Sequence, residues 1–145
     1  MSGGYQLVLD DPVIIGELGR AWDDFLSGLP GSHEEGGFII RVVAGGLAVI
    51  RWPQGKANAI DLPPHPNCTA EEGPILATFH THPNAGHEYL QEPSETDRRA
   101  VRDDPDLKGE GYVGEFVLAA RVTYLIAPDG KGHEVARTPE LLARR

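Results

Sequence analysis

The run PILATFHTH, residues 74–82, constrains this chain more than any other stretch. It is apolar enough to be a central strand of a sheet, with backbone partners on both edges. It ends in two histidines one residue apart, and Pro83 then stops it, because proline has no N–H to give a ladder. Side chains at i and i+2 of a strand point to the same face. His80 and His82 can therefore bring both imidazoles to one point, while Thr81 faces away. Packing has no need of that pair. Two neutral imidazoles and one carboxylate, with a fourth position open, make a recognised catalytic zinc set. The nearest downstream carboxylate on a defined element is Asp97, in the first turn of a helix expected over 94–104, with Pro105 just past its end.

Around this strand the chain alternates between two periods. YQLVL (5–9) reads as a short strand. The next segment has Asp11 to cap a helix, Pro12 for its first position and Gly28 for its end. Ile14, Leu18, Ala21, Trp22, Phe25 and Leu29 form its apolar face. GGFIIRVVAGGLAVIRW (36–52) reads as a hairpin turning at Gly45–Gly46. A Pro-rich stretch follows, with a short strand expected at 59–62. EFVLAARVTYLIAPDG reads as two strands or one long bent one, closed by Asp129–Gly130. GHEVAR reads as an edge strand, and TPELLARR as a terminal helix with Thr138 as its cap. The order is that of one mixed α/β domain spanning 1–145, built around one sheet.

Composition bounds what such a domain does. A chain of 145 residues buries about two-thirds of its extended surface, enough for an ordinary core. Hydrophobic residues at 40% and charged residues at 24% fit a soluble globular chain. The net charge of −9 argues against nucleic acid or an anionic membrane as partner, since phosphates are repelled. Cys68 is the only cysteine, so no intramolecular disulfide forms and a small buried thiol is expected. The absence of a signal-peptide core at the start and of a long apolar run points to a cytoplasmic location, with signal-less export as part of a toxin as the other setting.

Each piece of the histidine pattern has a plain structural alternative. A lone His-x-His is often a surface or satisfied core feature. Ser94-x-x-Asp97 alone is a capping box, and a carboxylate folded back on its own helix is not free to reach a metal. His65 and Cys68 have the two-residue gap of zinc ligands and, with His80 and His82, would give a closed four-ligand site. That alternative leaves Glu34 and Asp97 without a role. HEEGGFIIR places Glu34 and Glu35 ahead of a strand whose glycines let the backbone come close to a neighbour. Amide hydrolysis at a metal needs such a carboxylate, to take a proton from water and return it to the leaving amine.

Glu34-x-x-Gly37, then His80-x-His82-Pro83, then Ser94-x-x-Asp97 resembles the pattern of a bacterial-type JAMM (MPN/JAB) zinc metalloprotease domain. The element order is similar from about residue 5 to 136. The resemblance implies a central, mostly antiparallel curved sheet flanked by helices, of cytidine-deaminase-like architecture. It implies one zinc ion held by His80, His82 and Asp97, Glu34 as general base and then acid, and Ser94 as a donor to the oxyanion. The Glu-x-x-Gly spacing selects Glu34 over Glu35, and alternation along the strand puts Glu35 on the opposite face. The implied substrate is the C-terminal tail of a ubiquitin-like protein or a related peptide. Domains of this type also serve as non-catalytic scaffolds or as parts of bacterial toxin and conflict systems. The loop NAGHEYLQEP (84–93), which carries His87 and Glu88, is longer than the family's usual spacing. Such an insertion costs little closure entropy, and it makes substrate shape the place to expect divergence. Nothing in the pattern specifies an oligomeric state.

Overall fold

In the computed structural model, which describes residues 4–25, 29–57, 59–71, 73–82 and 93–145, the 74–82 run is a strand with neighbours on both edges. In chain order the elements are α1 (Gly4–Leu9), α2 (Pro12–Phe25), β1 (Gly36–Arg41), β2 (Leu47–Arg51), β3 (Thr69–Ala70), β4 (Gly73–Thr81), α3 (Glu95–Asp103), β5 (Glu115–Leu118), β6 (Val122–Ile126), β7 (Gly132–Arg137) and α4 (Thr138–Leu142). The fold is mixed α/β, with, among the described residues, four α-helices and a seven-stranded, mostly antiparallel open sheet. Its order is β2-β1-β4-β5-β6-β7, with β3 pairing to β4. The parallel pair is β4 with β5. A parallel neighbour requires a crossover, and α3 lies in that crossover, between β4 and β5 in sequence.

Two apolar layers flank the sheet. Ile39, Ala77, Phe79, Phe116 and Leu118 point to one layer and meet Val8 and Leu9 of α1, Ile14 and Leu18 of α2, and Leu141 of α4. Phe38, Ile40 and Val117 point to the other, where they join Trp52, Val101 of α3, Leu107 and Tyr112. Thr78 and His80 alternate with Ala77 and Phe79, so they face the α3 layer. The site is built on that side.

The Asp11 carboxylate caps α2, accepting the Val13 N–H at 2.9 Å and the Ile14 N–H at 3.4 Å. Ile14, Leu18, Ala21 and Phe25 are buried as their spacing predicts, with Trp22 half-buried. Leu29 departs from that face, lying past the helix and 60% exposed. Gly28 lies outside the described residues. The hairpin turns at Gly45 and Gly46, with φ of 94° and 86°, a region that favours glycine.

Three local expectations fail. Residues 5–9 belong to a helix rather than a strand. Tyr5, Val8 and Leu9 line its inner face against α2 while Leu7 is exposed, a helical spacing that five residues alone do not distinguish from alternation. No strand forms over 59–62. The Lys56 N–H turns back to the Ala59 carbonyl at 2.7 Å, and Pro63 and Pro64 have no N–H for a ladder. Thr138 is not the cap of α4. Arg137 holds that position, and the buried Thr138 hydroxyl bonds Thr123 across the sheet at 2.8 Å. Among the described residues no helix is long and apolar enough to cross a membrane.

Gly36 stands opposite His80 in the β1–β4 register. A Cβ there would lie 2.5 Å from Trp52 Cε3 and 2.6 Å from the Phe79 carbonyl oxygen. The carbonyl belongs to a central strand and has nowhere to go. Gly36→Ala is expected to lower stability by about 1–3 kcal/mol in urea unfolding, the usual cost of overpacking. An unchanged midpoint would contradict so close an approach of the two strands.

Candidate functional site

Main-chain pairing fixes the region just before β1 from both sides. The Glu34 N–H donates to the Lys56 carbonyl at 2.8 Å, and Glu34 accepts the Gly55 N–H at 2.9 Å. On the other flank the Thr81 N–H donates to the Glu35 carbonyl at 2.8 Å. The Thr81 hydroxyl, turned away from the histidines, accepts the Glu35 N–H at 3.0 Å. Two neighbouring glutamates thereby take opposite directions.

Glu35 is held by His33 Nε2 and by the Arg51 guanidinium, which also reaches Asp24 at 3.2 Å. Glu34 instead lines a cavity of about 270 Å³. Around the same cavity stand His80, Asp97, Glu115 and Asp104, with apolar walls from Trp52, Ile60, Leu62, Val101 and Leu107. Glu34 is 6% exposed. Burial pushes its carboxyl up to about 7; His80 opposes the shift, and the carboxylates of Asp97 and Glu115 reinforce it.

His80 is the centre of the polar group. Its Nδ1 lies 2.5 Å from Glu115 Oε2, and its Nε2 lies 3.7 Å from Asp97 Oδ1. Burial lowers the affinity of this imidazole for a proton, but the three carboxylates, Glu115 foremost, more than reverse that and hold it at about 9. Asp97 divides its two oxygens. Oδ2 accepts the Ser94 N–H at 3.0 Å while Ser94 Oγ accepts the Asp97 N–H at 3.0 Å, a complete capping box. Oδ1 is left toward His80. Capping and facing the histidine are therefore compatible. Ser94 is exposed at the start of α3 and keeps its hydroxyl proton for another acceptor.

His82 sits one residue past β4, its N–H bonded to the Leu118 carbonyl at 2.8 Å. Its side chain is not among those lining the cavity. Its Nδ1 is nevertheless buried with no partner among the described residues. Burial and nearby His80 shift it down, toward the neutral imidazole that binds a metal.

The structure thus brings Glu34, His80 and Asp97 together and leaves His82 beside them. Among the described residues no group of three or more His, Cys, Asp or Glu side chains is arranged to hold a metal ion as it stands. The donor types do fit one. A gap of 3.7 Å between a ring nitrogen and a carboxylate oxygen is too long for a hydrogen bond. It is close to the roughly 3.3 Å that separates two donors on a tetrahedral zinc. The Nδ1 of His82, buried and without a partner among the described residues, is a nitrogen of the type zinc takes.

His65 and Cys68 are committed elsewhere. His65 bonds the Pro63 carbonyl and Asp104, each at 2.7 Å, and the Cys68 thiol points at the Ile75 carbonyl at 3.5 Å. Pro83, His87 and Glu88 lie outside the described residues. Sequence reasoning did not single out Glu115 or Trp52. The available signal for Glu115 was a carboxylate opening the otherwise apolar EFVL strand; Trp52 carried none beyond its place after the hairpin. No family model, no curated protein and no solved structure matches this chain.

The titration of Glu34 has a definite sign. Between its ordinary value of 4.5 and about 7 the unfolded glutamate has lost its proton while the folded one keeps it. The unfolded state then binds fewer protons, so stability falls as pH rises through that window. In metal-free protein Glu34→Gln should gain stability relative to wild type between pH 5 and pH 8 in urea titrations. Parallel pH profiles for the two proteins would count against a buried, proton-holding Glu34.

Proposed function

We propose that this chain is a zinc-dependent peptidase or isopeptidase of JAMM type, acting on the C-terminal tail of a ubiquitin-like protein or a related peptide. The observation that carries this reading is the convergence of Glu34, His80 and Asp97 on one cavity. They arrive from the segment before β1, from the end of β4 and from the first turn of α3, the placement that the JAMM pattern implies. A zinc ion held by His80, His82 and Asp97 would supply Lewis acidity toward water and the scissile carbonyl.

The chain's own residues supply the proton chemistry. A carboxyl that titrates near neutrality suits both directions of transfer, so Glu34 takes the proton of the attacking water and returns it to the leaving amine. The apolar walls from Trp52, Ile60, Leu62 and Leu107 keep bulk water from that exchange and receive the substrate chain. Ser94, whose hydroxyl proton has no acceptor among the described residues, is the donor for the developing oxyanion.

A second reading, a non-catalytic MPN-type binding module, draws on the position of His82 outside the cavity lining. One set of measurements separates the two. Purified without added zinc, the wild type should hold one zinc per chain and His82→Ala much less. Glu34→Gln should keep the zinc and lose about 10²–10⁴-fold in cleavage of a ubiquitin-like fusion or a peptide. Equal, negligible zinc in wild type and His82→Ala would leave the binding module. Undiminished cleavage by Glu34→Gln would remove Glu34 from its role.

A further inference from the structure

His80 emerges from the centre of the sheet with one ring nitrogen already engaged. Its Nδ1 meets Glu115 Oε2 at 2.5 Å. The other oxygen, Oε1, accepts the Thr78 hydroxyl at 2.9 Å, and that hydroxyl lies 2.7 Å from the Tyr112 hydroxyl. All four side chains are nearly sealed from solvent: Thr78 is 0% exposed, His80 4%, Tyr112 5% and Glu115 6%. Thr78 pairs with Glu115 in the parallel β4–β5 register, and His80 with Val117, so both strands present these groups on the α3 side. Gly114, just before Glu115, has a φ of 130°, and a Cβ there would fall 2.2 Å from the Ile126 carbonyl oxygen. The backbone that delivers Glu115 is therefore fixed on β6 as well.

A buried carboxylate that spends one oxygen on a hydroxyl and the other on a ring N–H leaves its histidine little freedom. Rotating the ring would strand a charge in the interior, among the most costly changes a core can suffer. Metal-binding histidines commonly have such a partner on the nitrogen that does not bind, which fixes the tautomer and aims the other nitrogen. We infer that Glu115 is the positioning residue of this centre: by holding Nδ1–H of His80 it directs Nε2, and its lone pair, to the point that Asp97 Oδ1 also faces. Thr78 and Tyr112 extend the same support to the Glu115 carboxylate. This inference rests on the zinc reading of the site, and it adds a residue outside the Glu, His-x-His and Ser-x-x-Asp pattern.

The test is zinc affinity, measured by competition with a fluorescent chelator, on wild type, Glu115→Ala, Glu115→Gln and Thr78→Val. Urea unfolding of each metal-free protein reports separately whether it folds. Glu115→Ala should still bind one zinc, but about 10–100-fold more weakly. Glu115→Gln, whose carbonyl still accepts from Nδ1–H, should recover most of the loss and remains informative if the alanine variant does not fold. Thr78→Val should weaken binding by a smaller factor. Nitrogen-15 spectra of the zinc-loaded wild type should show His80 protonated at Nδ1 and metallated at Nε2, a signature that mere packing would not produce. Wild-type affinity in folded Glu115→Ala, or metallation of His80 at Nδ1, would overturn the inference and leave the zinc reading standing. Loss of the stoichiometric zinc in folded Glu115→Gln would overturn it too, by making Glu115 a ligand. No zinc taken up by the wild type would overturn the zinc reading, and this inference with it.

Discussion

The end of β4 sets the terms for everything around it, because it places four polar side chains largely out of contact with solvent. Thr78, His80, Thr81 and His82 are all less than a tenth exposed, in a strand with neighbours on both edges. Buried polar groups must find partners inside the protein. Thr78 finds Glu115 and Tyr112; Thr81 finds the Glu35 amide; His80 finds Glu115, with Asp97 a little farther off. Each solution draws in another element, so β5, the segment before β1 and the start of α3 meet at one place. His82 Nδ1 is the group in this set that the described residues leave unsatisfied.

The same requirement divides two adjacent glutamates. Glu35 sits against His33 and Arg51 and belongs to an ion-pair network that reaches Asp24. Glu34, one residue earlier, makes no ion pair comparable to these among the described residues, with His80 the positive group that acts on it, and is held at the cavity by backbone bonds to Gly55 and Lys56. Those partners commit the first carboxylate to the ion-pair network. Desolvation leaves the second near neutrality in its titration, the condition under which a carboxyl exchanges protons readily.

Much of this was legible from residues alone, and what was not had physical reasons. The strand at 74–82, the hairpin at Gly45–Gly46, the Asp11 cap and the start of α3 at Ser94 rest on local chemistry that tertiary packing reinforces. YQLVL was misread because five residues satisfy both the helical and the strand period, and packing against α2 decides between them. Thr138 looked like a cap because a hydroxyl before a proline usually is one, but its oxygen had a better partner in Thr123. The spacing of Glu34, His80 and Asp97 located three groups at one cavity. Glu115 was invisible at that level. A lone acid opening an apolar strand acquires meaning only when the parallel register sets it against Thr78, one alternation from His80. Capping and ligation at Asp97 also looked like rivals, because a sequence names a carboxylate once and does not show that its two oxygens can do different things.

That division of one carboxylate has a thermodynamic corollary. The oxygen that closes the first turn of α3 and the oxygen that faces His80 belong to one rigid plane, so the helix terminus and the position facing His80 share a degree of freedom. A cation drawn to the second oxygen would draw the first into tighter register, and fraying of that turn would swing the second away. By reciprocity, whatever orders the opening of α3, including a bound polypeptide lying across it, would raise the hold on such a cation by the same factor that the cation would raise the order of the helix.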